Sequence, residues 1–199
     1  MESGKKIVIL DLDDTLINTK LLKKLRFDLF RQAGYSEEEI LGTYESIYDS
    51  GYSTQKHADA LQAIRKNGAL DSIQDDHLLN EGLVFKDTIS ILHEAKSNPN
   101  IKSVLLSKGD PTSQQKKIDL LGLADFFDTI WISPVSKELF LKTHFSPDQE
   151  FIFINDKQSE NDAIQKDFPH AVCYLIDRHT AHDLSIHTAL EEIKKRMAL

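Results

Sequence analysis

Five short apolar segments constrain the fold of this chain more than any other feature of its sequence. Each has the length of a strand and is rich in β-branched or aromatic residues, and helical patterns separate consecutive segments from the second onward. Strands of this kind that alternate with helices are typical of a parallel sheet with helices on both faces. The sequence therefore predicts an α/β fold, a doubly wound and mostly parallel sheet, with strands at 7–10, 101–106, 129–132, 151–154 and 171–176.

The long stretch between the first and second apolar segments contains helical patterns and no convincing strand pattern. Leucines recur at helical spacing in 21–34, and Ser36 and Glu39 form a capping box at the start of a second helix. A third helical pattern follows, and the stretch 75–83 is compatible with a fourth. The predicted domains are an α/β core of residues 1–16 and 86–199 and a helical insertion of residues 17–85.

Charge and composition narrow the possible classes of function. The chain has 199 residues and a formal net charge of -8 at pH 7, which argues against a broad nucleic-acid or anionic-membrane footprint. Its single cysteine, Cys173, lies within an apolar segment, and we interpret it as a small buried hydrophobe. No signal peptide, membrane-length apolar run or disulfide framework is recognisable, so we expect a cytoplasmic protein.

An acidic cluster follows the first apolar segment directly. Asp11, Asp13 and Asp14 fall within four positions, and Thr15 comes next. Clustered like charges cost stability unless they are used. Because alternate residues of an extended chain point to the same side, we expect Asp11 and Asp13 to face one pocket while Leu12 faces away. Ligands of doubly wound sheets bind beyond the carboxyl ends of the strands, so this cluster predicts an active site.

These residues, in their order along the chain, resemble the motifs of the haloacid dehalogenase superfamily. The segment "VILDLDDTL" matches the family's first motif, an apolar strand followed by Asp-x-Asp-x-Thr. The segments "VLLSKGD", "LGLADFFDTI" and "FIFINDKQSEND" then follow in the expected order and spacing. The helical insertion resembles the small cap that many members carry. The resemblance implies a Rossmann-like core with an inserted helical cap.

The resemblance also implies a covalent mechanism of phosphoryl transfer. Asp11 would be the nucleophile and would form an aspartyl-phosphate. Asp13 would act as the acid-base, protonating the leaving alkoxide and then activating water. A lysine near the start of a helix would screen the negative charge, and Lys137 fits that position better than Lys142. The implied catalytic residues are therefore Asp11, Asp13 and Lys137.

Phosphate and metal sites follow from the same motifs. The implied phosphate-binding residues are Thr15, Ser107, Lys108 and Gly109, and the implied Mg²⁺ site consists of Asp11, Asp13, Asp156 and Glu160. Two carboxylates alone would repel a phosphate dianion, and a divalent cation with oxygen ligands removes that repulsion. The chain departs from the family pattern after its fourth strand, where Asn155 precedes Asp156. The second acid of this motif is Glu160, with Asn161 and Asp162 as alternatives.

The function predicted from these motifs is that of a Mg²⁺-dependent phosphatase acting on a small phosphorylated metabolite, with no nucleic-acid or membrane partner. Three alternatives stay open. A dehalogenase has no leaving alkoxide to protonate, so Asp13 argues against it. A phosphomutase would share all the core motifs. A non-catalytic protein that binds a phosphorylated ligand or a partner is supported only by the irregular acid spacing after Asp156.

Other polar and aromatic groups are given structural interpretations. Tyr44, Tyr48 and Tyr52 recur at four-residue spacing, which more often marks a packing stripe than a substrate platform. Several basic residues of the insertion could bind an anionic substrate tail, but surface charge is the default interpretation; they are Lys20, Arg26 and Arg31. The histidines of the C-terminal segment fit no strong zinc pattern, and we expect them to be solvated; they are His179, His182 and His187.

Overall fold

The computed structural model describes residues 4–48, 50–64, 76–178 and 191. Its centre is a sheet of five parallel strands in the order β3-β2-β1-β4-β5. The strands are β1 (Lys6–Leu10), β2 (Ile101–Lys108), β3 (Thr129–Ser133), β4 (Ile152–Asn155) and β5 (Val172–Leu175). The chain moves outward from β1 to β3 and then returns to the other side of β1. The sequence-based prediction of a doubly wound parallel sheet is therefore confirmed.

Helices cover the sheet and form the insertion. The α-helices of the described residues are α1 (Thr19–Gln32), α2 (Glu37–Tyr48), α3 (Thr54–Ile64), α4 (Thr88–Ser97), α5 (Pro111–Leu120), α6 (Lys137–Lys142) and α7 (Gln158–Asp167). Over its described residues, the possible fourth helix at 75–83 is instead two 3-10 turns, Asp76–Leu78 and Glu81–Leu83. Between them the Asn80 side chain accepts from the Gly82 amide and donates to the Leu78 carbonyl. These local bonds compete with an α-helix.

Both faces of the sheet are buried, as in other doubly wound folds. Val8 and Leu10 point to one face and pack in a cluster that includes Leu92 of α4. Ile9 points to the other face and packs in a cluster that includes Ile164 of α7. The central strand therefore reads as a continuous apolar run rather than an alternating one.

The insertion leaves and rejoins the core at adjacent points beside the carboxyl end of β1. The amide of Asn18 donates to the Leu83 carbonyl at 2.7 Å, and the Phe85 amide donates to the Leu16 carbonyl at 3.1 Å. The Thr88 hydroxyl also donates to the Leu16 carbonyl, at 3.0 Å. These contacts support the proposed division into a core of 1–16 and 86–199 and a cap of 17–85.

Two features of the C-terminal part of the sequence, Cys173 and a segment with three histidines, have structural interpretations. Cys173 lies half-buried in β5, and burial, with a smaller effect of Asp162, raises the pKa of its thiol to about 11. It is therefore a poor nucleophile at neutral pH. The segment with His179, His182 and His187 lies outside the described residues. In the described ranges no helix has the length and apolarity that a bilayer crossing needs.

The cap has its own apolar core, built around a buried histidine. His57 is fully buried and lies among the rings of Phe27 and Phe30. Its Nε2 lies 3.0 Å from the Ile40 carbonyl, which can only accept, so Nε2 carries the proton and Nδ1 accepts from the Tyr52 hydroxyl at 3.3 Å. Burial lowers the pKa of His57 to about 4.

This histidine makes the stability of the cap depend on pH. The pKa of His57 is about 4 in the folded state against an ordinary value of 6.5, so between these values the unfolded chain binds the extra proton. Stability from this group is complete above pH 6.5 and is lost as the pH falls toward 4, by about 3 kcal/mol at most. We expect the melting temperature of wild type to fall more steeply over this range than that of His57→Gln. Parallel curves for the two proteins would contradict this prediction.

Candidate active site

The ends of three neighbouring strands help to bring seven of the nine predicted site residues to one cavity. Asp11 follows β1, Asp156 follows β4, and the Lys108–Gly109 turn closes β2. The Asp11 amide donates to the Ile154 carbonyl of β4 at 2.9 Å, which holds the two strand ends together. The cavity has a volume of about 630 Å³ and lies between the core and the cap. The predicted residues that line it are Asp11, Asp13, Lys108, Gly109, Lys137, Asp156 and Glu160.

Asp11 and Lys137 form a buried ion pair at this cavity. Nζ of Lys137, the first residue of α6, lies 2.6 Å from Oδ1 of Asp11. The same ammonium donates to Oδ1 of Asn155 at 2.9 Å and pairs with Glu160 at 2.9 Å. Lys142, the alternative lysine, is exposed and pairs with Asp167. The structure therefore places Lys137, and not Lys142, beside Asp11, and the catalytic role of Lys137 stays a prediction.

Asp11 and Lys137 each change the pKa of the other. Burial raises the pKa of Asp11; the Lys137 ammonium opposes that effect, while the carboxylates of Asp13 and Glu160 add to it. Burial disfavours the charged form of Lys137, but the attraction of Asp11 and Glu160 outweighs it and raises the pKa of Lys137. The lysine therefore stays charged and favours the ionised carboxylate at position 11, which is the nucleophilic form.

Asp13 is held by residues of α1 and α5 that none of the sequence motifs includes. Lys117 forms an ion pair with Oδ1 of Asp13, Thr19 donates to the same oxygen at 2.7 Å, and Gln114 donates to Oδ2 at 2.9 Å. Burial alone would raise the pKa of Asp13. The positive charge of Lys117 and the hydrogen bonds from Lys117, Thr19 and Gln114 outweigh burial and lower this pKa to about 2. The carboxylate is therefore ionised here, in the form that suits a general base.

A glycine allows Gln114 to reach Asp13. A Cβ at Gly109 would lie 2.7 Å from Nε2 of Gln114, the atom that donates to Asp13. The same nitrogen donates to the Lys108 carbonyl at 3.1 Å and so joins the turn after β2 to the acidic cluster. Gln114 and Lys117 are three residues apart on α5, which places them on one helix face. This three-residue spacing at the start of the helix after β2 is the feature of the sequence from which the two residues could have been identified as contacts of the acidic cluster.

Two predicted phosphate-binding residues do not line the cavity. Thr15 and Ser107 are fully buried. The Thr15 hydroxyl donates to Oδ2 of Asp11 at 3.3 Å, so in this structure it orients the carboxylate. The Ser107 hydroxyl is buried and has no hydrogen-bond partner among the described residues. A phosphate-binding role for Thr15 and Ser107 stays a prediction, and only Ser107 keeps its hydroxyl available for it.

The predicted metal ligands fit a divalent cation with few protein ligands. Burial raises the pKa of Asp156 to about 7, with a further contribution from Asp11, and its Oδ1 is buried without a hydrogen-bond partner in the described part of the chain. An orphaned carboxylate oxygen beside a second carboxylate is suited to a hard cation. The described ranges contain no group of three or more acidic, histidine or cysteine side chains that could hold a metal. Mg²⁺ commonly binds through one or two carboxylates and keeps several waters.

Glu160 is turned toward Lys137 rather than left available as a ligand. Its carboxylate pairs with Lys137 at 2.9 Å and accepts from Nδ2 of Asn155 at 3.2 Å. Asn161 is buried, and Asp162 is exposed on α7. Of the three alternatives after Asp156, Glu160 is therefore the one that lines the cavity. Its contacts give it a role in positioning Lys137, and its predicted place in the metal site stays a prediction.

An arginine after β5, whose side chain is buried, supports the loop of the acidic cluster through a backbone contact. No sequence motif indicates this residue. Nε of Arg178 donates to the Thr15 carbonyl at 3.0 Å, and Nη1 donates to both carboxylate oxygens of Asp87 at 3.0 and 2.9 Å. Its guanidinium also lies over the Phe85 ring. Arg178 thereby joins three segments distant in sequence, a relation that no local pattern reveals.

Comparisons with known proteins agree with this architecture. A haloacid dehalogenase-like hydrolase from Burkholderia xenovorans LB400 is 21% identical, over 92% of this chain and 88% of its own, with a TM-score of 0.71. A haloacid dehalogenase-like family hydrolase from Xanthomonas campestris is 17% identical, over 99% and 97% of the two chains, with a TM-score of 0.67. No curated protein sequence shows significant similarity to the chain.

A third solved structure carries ligands. The enzyme BT-2542 from Bacteroides thetaiotaomicron, solved in complex with magnesium and inorganic phosphate, is 13% identical over 90% of this chain and 98% of its own, with a TM-score of 0.54. At these identities the solved structures show a shared fold. The family model for haloacid dehalogenase-like hydrolases matches residues 5–153, which include the acidic cluster, the cap, the first three strands and the start of β4. The chain therefore belongs to the haloacid dehalogenase-like hydrolase family.

Proposed function

We propose that this protein is a Mg²⁺-dependent phosphatase that hydrolyses a small phosphorylated metabolite through an aspartyl-phosphate at Asp11. The observation that carries this proposal is the buried Asp11–Lys137 pair, 2.6 Å apart, with a second carboxylate of Asp13 on the same cavity. A carboxylate nucleophile, a fixed cation and a second carboxylate are the groups that phosphoryl transfer through a covalent intermediate requires.

In the first step an oxygen of Asp11 attacks phosphorus, and the bond from phosphorus to the ester oxygen breaks. Asp13 gives a proton to the leaving oxygen. An incoming phosphate dianion opposes the charge of the Asp13 carboxylate and competes for the Lys117 ammonium, and both effects raise the pKa of Asp13 from its low value. In the second step Asp13, again ionised, takes a proton from the water that attacks the aspartyl-phosphate. Phosphate leaves, and Asp11 is regenerated.

Lys137 neutralises charge in both steps. Its ammonium is fixed by Asn155 and Glu160 as well as by Asp11, so it needs no reorganisation when a phosphate arrives. Asp11 and Asp156 would hold the Mg²⁺ through their carboxylates, and Asp13 would add its backbone carbonyl. When bound, this cation supplies Lewis-acid stabilisation of the phosphoryl oxygens and offsets the repulsion between carboxylates and phosphate. The magnesium and phosphate of the Bacteroides structure are compatible with this assignment.

The cap supports a small substrate. Its loop around Gly51 approaches the core so closely that a Cβ at this glycine would lie 3.6 Å from the Asp110 amide nitrogen. Lys56 donates to the Gly51 carbonyl at 2.7 Å and lies 3.9 Å from the Asp110 carboxylate. These contacts close one side of a cavity of about 630 Å³, a size that suits a small metabolite. Closure of this kind also keeps bulk water from the reacting groups.

A screen of phosphate monoesters tests the proposed function. Sugar phosphates, nucleotides, phosphoglycolate and an aryl phosphate would be incubated with the protein, with Mg²⁺ and with a chelator. We expect phosphate release that requires Mg²⁺ and favours small esters. Phosphoryl exchange that depends on a bisphosphate activator would instead identify a phosphomutase. If no ester is hydrolysed under either condition, the phosphatase proposal is wrong.

Asp156→Asn is expected to raise the Mg²⁺ concentration needed for half-maximal activity by roughly tenfold or more, since one of two proposed carboxylate ligands loses its charge. Asp162→Asn is the matched control, because Asp162 is an exposed acid on the neighbouring helix. A Mg²⁺ titration of initial rates compares both variants with wild type. Equal shifts in the two variants would show that general surface charge, and not a ligand at position 156, sets the requirement.

A further inference from the structure

The charged groups that the described part of the cap contributes to the cavity are all positive, whereas the core contributes both carboxylates and the lysines Lys108, Lys117, Lys137 and Lys157. Among the described residues, every carboxylate that lines it comes from the core; these are Asp11, Asp13, Asp14, Asp110, Asp156 and Glu160. The charged residues that the cap contributes are all cations; these are Lys20, Lys23 and Arg26 of α1. The asymmetry is unexpected in a chain with a net charge of -8. We call the cap side of the cavity, with these cations and Tyr44, Tyr48 and Tyr52, the cationic wall.

Lys23 is held within this wall rather than extended into solvent. Its Nζ lies 3.6 Å from the centroid of the Tyr44 ring and 5.2 Å from that of Phe27, and the residue is half-buried. Within the described ranges, no carboxylate lies within ion-pair distance of this ammonium; Glu45 favours its charged form from farther away. Partial burial of an ammonium without an ion pair costs folding free energy when no ligand is bound. A bound anion would offset that cost.

The tyrosines of the wall support the cations instead of offering an open stacking surface. The Tyr44 ring contacts Lys23 and also lies 5.3 and 5.4 Å from the rings of Tyr48 and Tyr52. Tyr52 donates its hydroxyl to the buried His57, and the Arg26 guanidinium lies 5.7 Å from its ring. The rings therefore pack in a stripe, as expected from their spacing, and contribute cation–π contacts. Their arrangement favours recognition of an anion over stacking of a nucleobase.

We infer that the cationic wall binds a second anionic group of the substrate, with Lys23 as its principal contact. The substrate is then a phosphate monoester that carries a carboxylate or a second phosphate at the end remote from the scissile bond. This inference rests on the proposed phosphatase function, in which the reacting phosphate lies against Asp11 and Lys137 at the core side of the cavity. The bound substrate spans the cavity, with one anion at the core and the other at the cap.

Matched pairs of esters that differ only in the second charge test this inference. One pair is phosphoglycolate and ethylene glycol monophosphate, and the other is propanediol bisphosphate and propanediol monophosphate. The two pairs separate a carboxylate from a phosphate as the second anion. Wild type, Lys23→Gln and Lys24→Gln would be compared by kcat/KM. Lys24 is the matched control because it is the adjacent lysine, is exposed and does not line the cavity.

In at least one pair, the kcat/KM of wild type is expected to be about tenfold or more higher for the ester that carries the second anionic group. Lys23→Gln should lower that preference about tenfold, and Lys24→Gln should leave it within twofold. The inference is overturned if wild type prefers the neutral-ended member of both pairs, or if Lys23→Gln reduces both members equally. A kcat/KM for a nucleotide far above that for every ester of both pairs would also overturn it, because the cap would then recognise a nucleobase and not a second anionic group.

Binding to a protein that cannot turn over separates this inference from the proposed function. The same pairs would be titrated calorimetrically into Asp11→Asn and into Asp11→Asn/Lys23→Gln. A binding preference for the anionic member that disappears with Lys23→Gln supports the cationic wall even if no ester is hydrolysed by wild type. Equal binding of both members in Asp11→Asn overturns the inference, while hydrolysis of neutral esters by wild type would leave the phosphatase function standing.

Discussion

Asp11→Asn is expected to abolish hydrolysis of phosphate monoesters, with a loss in kcat of roughly 10⁴-fold or more. The amide keeps the shape of the side chain but has no negative charge to attack phosphorus. Stability should survive, because the substitution also removes repulsion with Asp13, and Lys137 keeps its bonds to Glu160 and Asn155. Initial rates and melting temperatures of the two proteins measure both expectations.

The melting temperature of Asp11→Asn shows whether a loss of activity comes from lost chemistry or from unfolding. A variant that has lost turnover and melts within a few degrees of wild type has lost chemistry and not its fold. Turnover near the wild-type rate in a folded Asp11→Asn protein would remove the nucleophile from the mechanism. In that case direct attack of water on the ester, with Asp13 as base, would be the remaining route for this site.

Lys137→Met is expected to lower kcat/KM by about 10²–10³-fold, because the site loses its fixed cation beside the nucleophile and the phosphate. It should also destabilise the protein, since the buried Asp11 carboxylate loses its ion pair. Lys142→Met is the control: Lys142 is exposed, and its pair with Asp167 lies on the surface. Its activity should stay within about twofold of wild type.

The destabilisation of Lys137→Met has to be separated from its catalytic effect. Rates measured at a temperature at which both variants are fully folded, with the Mg²⁺ requirement determined for each, make that separation. If Lys142→Met loses as much activity as Lys137→Met, then the ion pair with Asp11 does not explain the role of this segment. A loss confined to Lys137→Met supports the charge-screening role.

The fold and half of the site could be predicted because their signals are local. Buried parallel strands leave continuous apolar runs, and alternation along an extended chain puts Asp11 and Asp13 on one side while Leu12 enters the core. The capping box of Ser36 and Glu39 is also local, and both of its hydrogen bonds are present in the structure. Bounds of strands differ from the predicted ones by one or two residues.

The missed residues act through contacts between distant parts of the chain. Gln114 and Lys117 reach Asp13 across 101 and 104 positions, and their own surroundings in the sequence are those of an ordinary helix. Asn155 departs from the family pattern, but in the structure its amide joins Lys137 to Glu160, a contact that the sequence pattern does not indicate. Side-chain direction within a tight loop is equally hidden, and Thr15 therefore turned out to contact Asp11 beneath the cavity wall.

Chemical trapping of the intermediate tests the covalent mechanism most directly. Wild-type protein would be quenched in acid during turnover of the best ester, treated with borohydride, which reduces an aspartyl-phosphate to homoserine, and digested for mass spectrometry. Homoserine at position 11, absent without substrate and absent from Asp11→Asn, is the predicted result. Sustained turnover with unmodified Asp11, or with the phosphoryl group on another residue, would contradict Asp11 as the nucleophile.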